Sequence, residues 1–175
     1  MHMVAIVVIP KDSDVEEEVA KALAPYEEDY SADDDELVGW WDWWQIGGRY
    51  TGWWSDYDPA MDWDNVESCT LCFGSGTRPD MDSSWCGGCN GCRGLGWRLR
   101  WPSEWVAHEH DVLPVSAGLS AEVRMPYTVV TPLGAWHKET WTGGDFVQAP
   151  EWHRVVREAL TPYADDLAVV VDYHA

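Results

Sequence analysis

The chain has 175 residues and a formal net charge of -20, and 14 of its residues are tryptophan. This length allows one main domain with a hydrophobic core plus a small insertion, and the excess of acidic residues argues against nucleic-acid binding, which depends on neutralising phosphates. No apolar run reaches about 18 residues and no basic segment precedes the apolar stretch Met3–Ile9, so we predict neither a membrane span nor a secretory signal and expect a cytoplasmic protein.

The N-terminal part of the chain predicts a strand, a helix and a second strand. Met3–Ile9 is a short run rich in β-branched residues, which is typical of a buried strand. Ser13 lies three residues before Glu16 in a capping-box pattern, and apolar residues follow at helical spacing until a proline ends the helix. After an acidic linker, Leu37–Ile46 predicts the second strand. Residues 49–67 are rich in Trp, Asp and Gly without a clear period, and we predict a loop there.

A duplicated motif follows this loop. Cys69–Gly76 and Cys89–Gly96 both read C-x-x-C-x-G-x-G. One CxxC loop places two thiolates on a metal ion, and a second loop completes a tetrahedron. The glycines allow a tight turn around the sulfurs and offer amide hydrogens to them. The spacing therefore predicts a closed, structural zinc site. Its predicted ligands are Cys69, Cys72, Cys89 and Cys92.

The fifth cysteine leaves one alternative open. Cys86 lies three residues before Cys89, so Cys86 and Cys89 form a competing CxxC pair. We favour Cys89 with Cys92 because only that pair is followed by G-x-G. Cys86 is kept as an alternative ligand.

The two cysteine repeats resemble the zinc module of DnaJ-type co-chaperones, here in a two-repeat form. The resemblance covers only Cys69–Gly96, and no J-domain or His-Pro-Asp triplet accompanies it. It implies a zinc-held module that presents loops to unfolded chains or partner proteins, without a role in driving an Hsp70. Outside the module, Trp43–Tyr50 and Val169–His174 resemble uncharacterised small proteins of bacteriophages and bacteria, which implies a phage or bacterial origin.

The C-terminal part predicts further strands and one more helix. Residues 101–123 contain breakers and are predicted to be irregular. Tyr127–Thr131 and Ala135–Trp141 predict a hairpin around a Pro-Leu-Gly turn. Pro150 is placed to open a helix, and the valine-rich Leu167–Tyr173 predicts a central final strand.

This order of elements predicts an α+β fold. We expect a mixed sheet with two helices on one face, which resembles the ferredoxin-like plan. Residues 1–67 and 101–175 would form this domain together, and residues 68–100 would form an inserted zinc module.

The leading functional hypothesis is a non-enzymatic protein-binding factor stabilised by zinc. No nucleophile or carboxylate-metal motif supports catalysis, so no catalytic residues are predicted. We expect contact with a partner protein through the zinc module and the Trp-rich segment, residues 40–54, because Trp and Arg are enriched at binding hot spots. The predicted contact residues are Trp43, Trp44, Arg49, Trp53 and Trp54.

Other hypotheses remain open at this point. A small-molecule enzyme, or a protein that binds a nucleotide or small molecule, could use Arg49, His137 and His174 around an aromatic pocket. The net charge of residues 1–67, with 18 acidic against three basic side chains, would suit an acidic DNA mimic. Gly47-Gly48-Arg49 could hold an anion, and residues 108–111, His-Glu-His-Asp, could hold a second metal ion. The sequence leaves the oligomeric state open.

Overall fold

The computed structural model describes residues 1–28, 39–55, 57–80, 88–102, 105, 108–120, 124–139 and 150–175. Two compact units are present, one formed by Met1–Tyr57 with Ala107–Ala175 and the other by Asp58–Val106. We call them the sheet unit and the cysteine unit. The predicted limits of the insertion, 68–100, and the placement of the remaining residues in one domain stay predictions.

Within the described residues the fold is mixed α/β, with three helices and eight strands. The helices are α1 (Val15–Leu23), α2 (Val115–Ser120) and α3 (Pro150–Leu160). The strands are β1 (His2–Ile9), β2 (Trp43–Ile46), β3 (Val66–Ser68), β4 (Trp97–Leu99), β5 (Val112–Pro114), β6 (Thr128–Val130), β7 (Trp136–Lys138) and β8 (Leu167–His174).

The sheet unit is built on a mixed sheet in the order β2-β8-β1-β6-β7. β1 pairs antiparallel with β8 along its whole length, from His2 opposite His174 to Ile9 opposite Leu167. Its other edge pairs in parallel with β6. β2 and β5 both pair with β8, one beside each half of that strand. β1 and β8 therefore have neighbours on both sides, as expected for valine-rich central strands.

Both faces of this sheet are covered. Val4, Ile6 and Val8 of β1 face a core that includes Val156 and Leu160 of α3. The alternate residues Ala5, Val7 and Ile9 face a second core that contains Val19 and Leu23 of α1. Because side chains alternate along a strand, α1 and α3 lie on opposite faces. The prediction of two helices on one face was therefore wrong, and the ferredoxin-like plan is not confirmed.

Several local predictions are confirmed and others need correction. The first and last strands, α1, the hairpin of β6 with β7, and α3 all lie where the sequence predicted them. Residues 112–120, predicted to be irregular, form β5 and α2. In the described part of 37–46, strand structure begins only at Trp43, and the predicted loop 49–67 contains short 3₁₀ turns and β3. No helix of the described residues is long and apolar enough to cross a membrane.

Candidate metal centre

The two cysteine motifs fold into matching tight turns. In the first repeat, the Gly74 N–H donates to the Cys69 carbonyl at 3.3 Å, and the Ser75 N–H donates to the Cys72 carbonyl at 3.0 Å. The second repeat makes the same two bonds at the same positions. They run from the Gly94 N–H to the Cys89 carbonyl at 3.1 Å and from the Leu95 N–H to the Cys92 carbonyl at 3.0 Å. Each CxxC sequence thus bends back on itself and directs its sulfurs inward.

Reciprocal hydrogen bonds connect the two turns. The Cys69 N–H donates to the Gly96 carbonyl at 2.9 Å, and the Cys89 N–H donates to the Gly76 carbonyl at 2.7 Å. A Cβ atom at Gly96 would lie 2.4 Å from the Gly74 carbonyl oxygen. The final glycine of each motif is therefore required because another backbone segment occupies the space of a side chain.

A short hairpin supports both turns at their outer ends. β3 pairs antiparallel with β4, with Ser68 opposite Trp97. Ser68 directly precedes the first cysteine, and Trp97 directly follows the last glycine of the second motif. The hairpin therefore holds the start of one motif beside the end of the other.

The four sulfurs converge on one buried point. Cys69 Sγ lies 3.7 Å from Cys89 Sγ, and Cys72 Sγ lies 3.7 Å from Cys92 Sγ. All four sulfur atoms lie within 4.8 Å of one another. The separation is far longer than the ~2.05 Å bond of a disulfide. It matches the ~3.8 Å edge of a sulfur tetrahedron with metal–sulfur bonds of about 2.3 Å. These four cysteines, the candidate metal centre, are positioned to bind a metal ion.

The environment of the sulfurs favours a thiolate in part of the centre. Burial opposes ionisation of Cys69, but hydrogen bonds from the backbone of Leu71 and Cys72 and from the Cys89 and Cys72 thiols outweigh it and lower its pKa. Burial, together with the contacts to the Cys69 and Cys92 sulfurs, raises the pKa of Cys89. The Gly96 N–H also donates to Cys92 Sγ at 3.2 Å. A metal ion that binds all four sulfurs must displace the remaining thiol protons. Its affinity therefore becomes weaker as the pH is lowered.

The candidate metal centre is the only cluster of three or more ligating side chains among the described residues. Cys86, the alternative ligand, lies outside those residues. The alternative of a second metal site at 108–111 gains no support from the described part of this segment. Instead His110 stacks on Tyr57 with ring centres 4.0 Å apart, and the buried Asp111 accepts a hydrogen bond from the Gly52 N–H at 2.8 Å.

The structure gives the predicted partner-binding residues different surroundings. Trp43 and Arg49 are exposed. Trp44 packs against the core on the α1 side of the sheet. Trp53 and Trp54 pack against the core on the α3 side, and both indole N–H groups donate to the Arg124 carbonyl. A role in partner binding stays a prediction for all five.

The Gly47-Gly48-Arg49 segment uses its amides within the protein. The Gly47 N–H donates to the Val170 carbonyl at 2.8 Å, and the Arg49 N–H donates to Asp172 Oδ2 at 3.0 Å. A Cβ at Gly48 would lie 2.7 Å from that same carboxylate. Both amides are therefore used within the protein, one by a backbone carbonyl and one by a buried carboxylate. This arrangement gives no support to the alternative in which the segment holds an external anion.

Two histidine–carboxylate pairs lie beside this segment. His2 Nδ1 lies 2.8 Å from Asp172 Oδ1, and His174 Nδ1 lies 2.8 Å from Asp42 Oδ1. Asp172 and His174 lie two positions apart on β8, and each pairs with a residue outside that strand. His137 lies on β7, three positions from β8 in the strand order, so it does not join Arg49 and His174. Sequence reasoning missed His2 and Asp42, because nothing local marks residues that meet across a sheet.

No protein family, curated protein or solved structure matches this chain. The resemblances to DnaJ-type modules and to phage proteins therefore stay predictions, and the site rests on the geometry described above.

Proposed function

We propose that the candidate metal centre binds zinc and has a structural role. Four sulfur ligands in a tetrahedron suit zinc or an iron–sulfur cluster. The four-sulfur set favours a single ion because the paired sulfurs are separated by one tetrahedral edge, 3.7 Å. Four cysteines also fill all positions of a tetrahedral ion, which is the arrangement of structural rather than catalytic zinc.

We further propose that the protein is a non-enzymatic protein-binding factor stabilised by this zinc. The observation that carries this proposal is Phe73, the residue after the second cysteine of the first motif. Its side chain is 83% exposed, and its backbone has a φ of +52°. A bulky aromatic residue is unfavourable in this left-handed conformation. A phenylalanine that is both strained and exposed contributes little to folding, which supports a role in contact with a partner.

Two other apolar side chains on the cysteine loops are also exposed. Leu71 is 42% exposed and Leu95 is 59% exposed. A loop whose backbone is already ordered loses less conformational entropy when it binds a partner. We call Leu71, Phe73 and Leu95 the loop surface. Trp43 and Arg49 of the Trp-rich segment are separate candidates for partner contact in the sheet unit.

The duplicated motif provides a matched pair of variants for the test. Phe73→Asn removes the aromatic ring, while asparagine tolerates the left-handed conformation. Arg93 occupies the same position in the second motif and also has a φ of +52°, so Arg93→Asn is the control. Each zinc-loaded protein is immobilised in a nuclease-treated bacterial lysate, and retained proteins are quantified by mass spectrometry. The zinc content of each variant is measured in parallel.

We expect a stoichiometric partner that wild type and Arg93→Asn retain and that Phe73→Asn loses by at least tenfold, with zinc content unchanged. This loss would follow from removing a buried aromatic anchor from the interface. A partner retained equally by all three proteins would exclude the loop surface as the contact. If no partner is retained by any of them, the binding-factor proposal fails, while the zinc assignment is tested separately by the metal content.

A further inference from the structure

The two histidine–carboxylate pairs lie next to each other at one end of the sheet. His2 and His174 are direct partners in the antiparallel pairing of β1 with β8. Their ring centres lie 5.4 Å apart, and the ring planes are inclined by 65°. The two carboxylates come from different places in the chain, Asp172 on β8 and Asp42 just before β2. Two similar pairs thus meet at one point of the fold.

In both pairs the carboxylate engages the same ring nitrogen. Nδ1 of each histidine lies 2.8 Å from an aspartate oxygen. A carboxylate at this distance holds the proton on Nδ1 and leaves the lone pair of a neutral imidazole on Nε2. This is the arrangement of metal-ligating histidines, whose second nitrogen donates to a carboxylate that orients the ring and increases its basicity.

The spacing of the rings also fits a shared ion. If one tetrahedral ion bound both Nε2 atoms at about 2.0–2.1 Å, the two ring centres would lie about 5 Å apart. The observed separation is 5.4 Å. The side chains of His2 and His174 are 28% and 42% exposed, so an ion has access from solvent.

The local charge favours a cation. The Asp172 side chain is 1% exposed, and its partners are the His2 ring and the Arg49 backbone N–H. Among the described residues, no lysine or arginine side chain forms an ion pair with Asp172 or Asp42. The hydrogen bond with His174 lowers the pKa of Asp42, and the N-terminal ammonium also acts on this carboxylate. With neutral imidazoles, two carboxylates face this one ammonium, and one positive charge is lacking. A bound cation would supply that charge.

We propose that His2 and His174 bind a divalent late transition-metal ion of the imidazole-preferring kind, such as Ni²⁺, Cu²⁺ or Zn²⁺. Asp172 and Asp42 orient the two rings, and water or a small exogenous ligand fills the remaining coordination positions. The site is separate from the four cysteines in its ligands and in its openness. It is an exchangeable site, whereas the cysteine centre is closed.

Nickel is the probe, and the zinc-loaded, tag-free protein is the sample. Ni²⁺ binding is measured by calorimetry, and a chromogenic zinc indicator reports any displacement of zinc from the cysteines. His174→Ala removes one proposed ligand at an exposed position. His153→Ala is the control, because His153 is an exposed histidine of α3 outside the cluster. Asp42→Asn retains both ligands and weakens the carboxylate that orients His174.

We expect one equivalent of Ni²⁺ to bind without release of zinc, with at least tenfold weaker affinity in His174→Ala and wild-type affinity in His153→Ala. Asp42→Asn should weaken binding by about tenfold, the lower end of the effect of losing an orienting carboxylate. Absence of binding, or equal affinity in His174→Ala and wild type, would overturn the proposal. Binding that is lost in His153→Ala would overturn it as well, by assigning the ion to another histidine.

Discussion

Phe73 and Arg93 have the same backbone conformation although their side chains share no property. Both have a φ of +52° at equivalent positions of the two motifs. Neither phenylalanine nor arginine favours a positive φ, so side-chain preference does not explain this conformation. The conformation is imposed by the turn that brings the two cysteines together. In turns of this kind, the residues most sensitive to substitution are the glycines that leave room for another backbone segment.

Gly96→Ala should weaken zinc binding much more than Gly74→Ala. The two glycines have nearly equal φ values, +80° and +83°, so alanine brings a similar left-handed strain of about 1–2 kcal/mol at either site. Only at Gly96 would the new Cβ collide with backbone, 2.4 Å from the Gly74 carbonyl oxygen, whereas at Gly74 the nearest atom is Ser68 Oγ at 4.0 Å. We expect at least tenfold weaker zinc affinity for Gly96→Ala, measured by competition with a chromophoric chelator. Equal affinities would contradict the role assigned to the close approach.

For individual residues, a contact could be predicted when its partners lie close together in the sequence. The four cysteines were predicted because each ligand pair is local and the motif is duplicated. His2 was not predicted as a partner of Asp172, because the two residues are 170 positions apart and meet only through the pairing of β1 with β8. From the sequence alone, Gly47-Gly48-Arg49 could also have held an external anion. Only the folded structure shows that the Arg49 amide instead donates to the buried Asp172 of the same chain.

At the scale of elements, the sequence pattern predicted five of the eight strands and two of the three helices of the described residues, but not the placement of the helices. β1 is apolar at successive positions, which indicates that both its faces are covered, and the structure has a core on each face. An amphipathic helix shows which of its own faces is buried. It does not show which face of a sheet it covers, and so α1 and α3 were placed wrongly on the same side.

Helix α2 was missed because its sequence, VSAGLS, is short and contains a glycine. That glycine has a packing reason. A Cβ at Gly118 would lie 2.4 Å from the Trp54 ring, so the ring occupies the position of a side chain. Gly118 would be taken for a helix breaker in the sequence. Its role is to leave space for Trp54, which lies 64 positions earlier in the chain.

Two neighbouring residues, Ser13 and Asp14, are candidates for the N-cap of α1. The sequence pattern favoured Ser13, but Asp14 is the cap residue, and its side chain accepts from the Glu17 N–H at 2.9 Å. The Ser13 hydroxyl donates to the Pro10 carbonyl instead. Asp14→Ala should lower the free energy of unfolding by about 1 kcal/mol, the usual effect of losing a side-chain cap. Ser13→Ala should lower it by less than half as much. Denaturant unfolding of both variants measures the difference, and a larger effect at Ser13 would restore the capping box predicted from the sequence.

At the scale of the whole molecule, the two units differ in what stabilises them. The sheet unit has two clusters of buried apolar residues, one on each face of its sheet. In the described part of the cysteine unit, the buried cluster consists of the four cysteines alone. Apolar burial of that size cannot offset the entropy of ordering the chain, and small units of this kind depend on a metal or a disulfide. The sulfur separations of 3.7 Å exclude the disulfide in this structure.

Removal of the metal should therefore unfold the cysteine unit and leave the sheet unit folded. Metal binding and folding are coupled when the ligands form the core, so a strong chelator under reducing conditions should remove the free energy that orders β3, β4 and both cysteine turns. Hydrogen exchange measured by mass spectrometry should show loss of protection in residues 66–76 and 88–99. Protection should be retained in β1 and β8, whose hydrogen bonds lie between two apolar cores.

Cys92→Ser should give the same pattern without chelator, because a serine hydroxyl does not replace a thiolate ligand. Equal loss of protection in β1 and β8 would mean that the sheet depends on the metal as well, and full protection after chelation would show that the cysteine unit is stable without it.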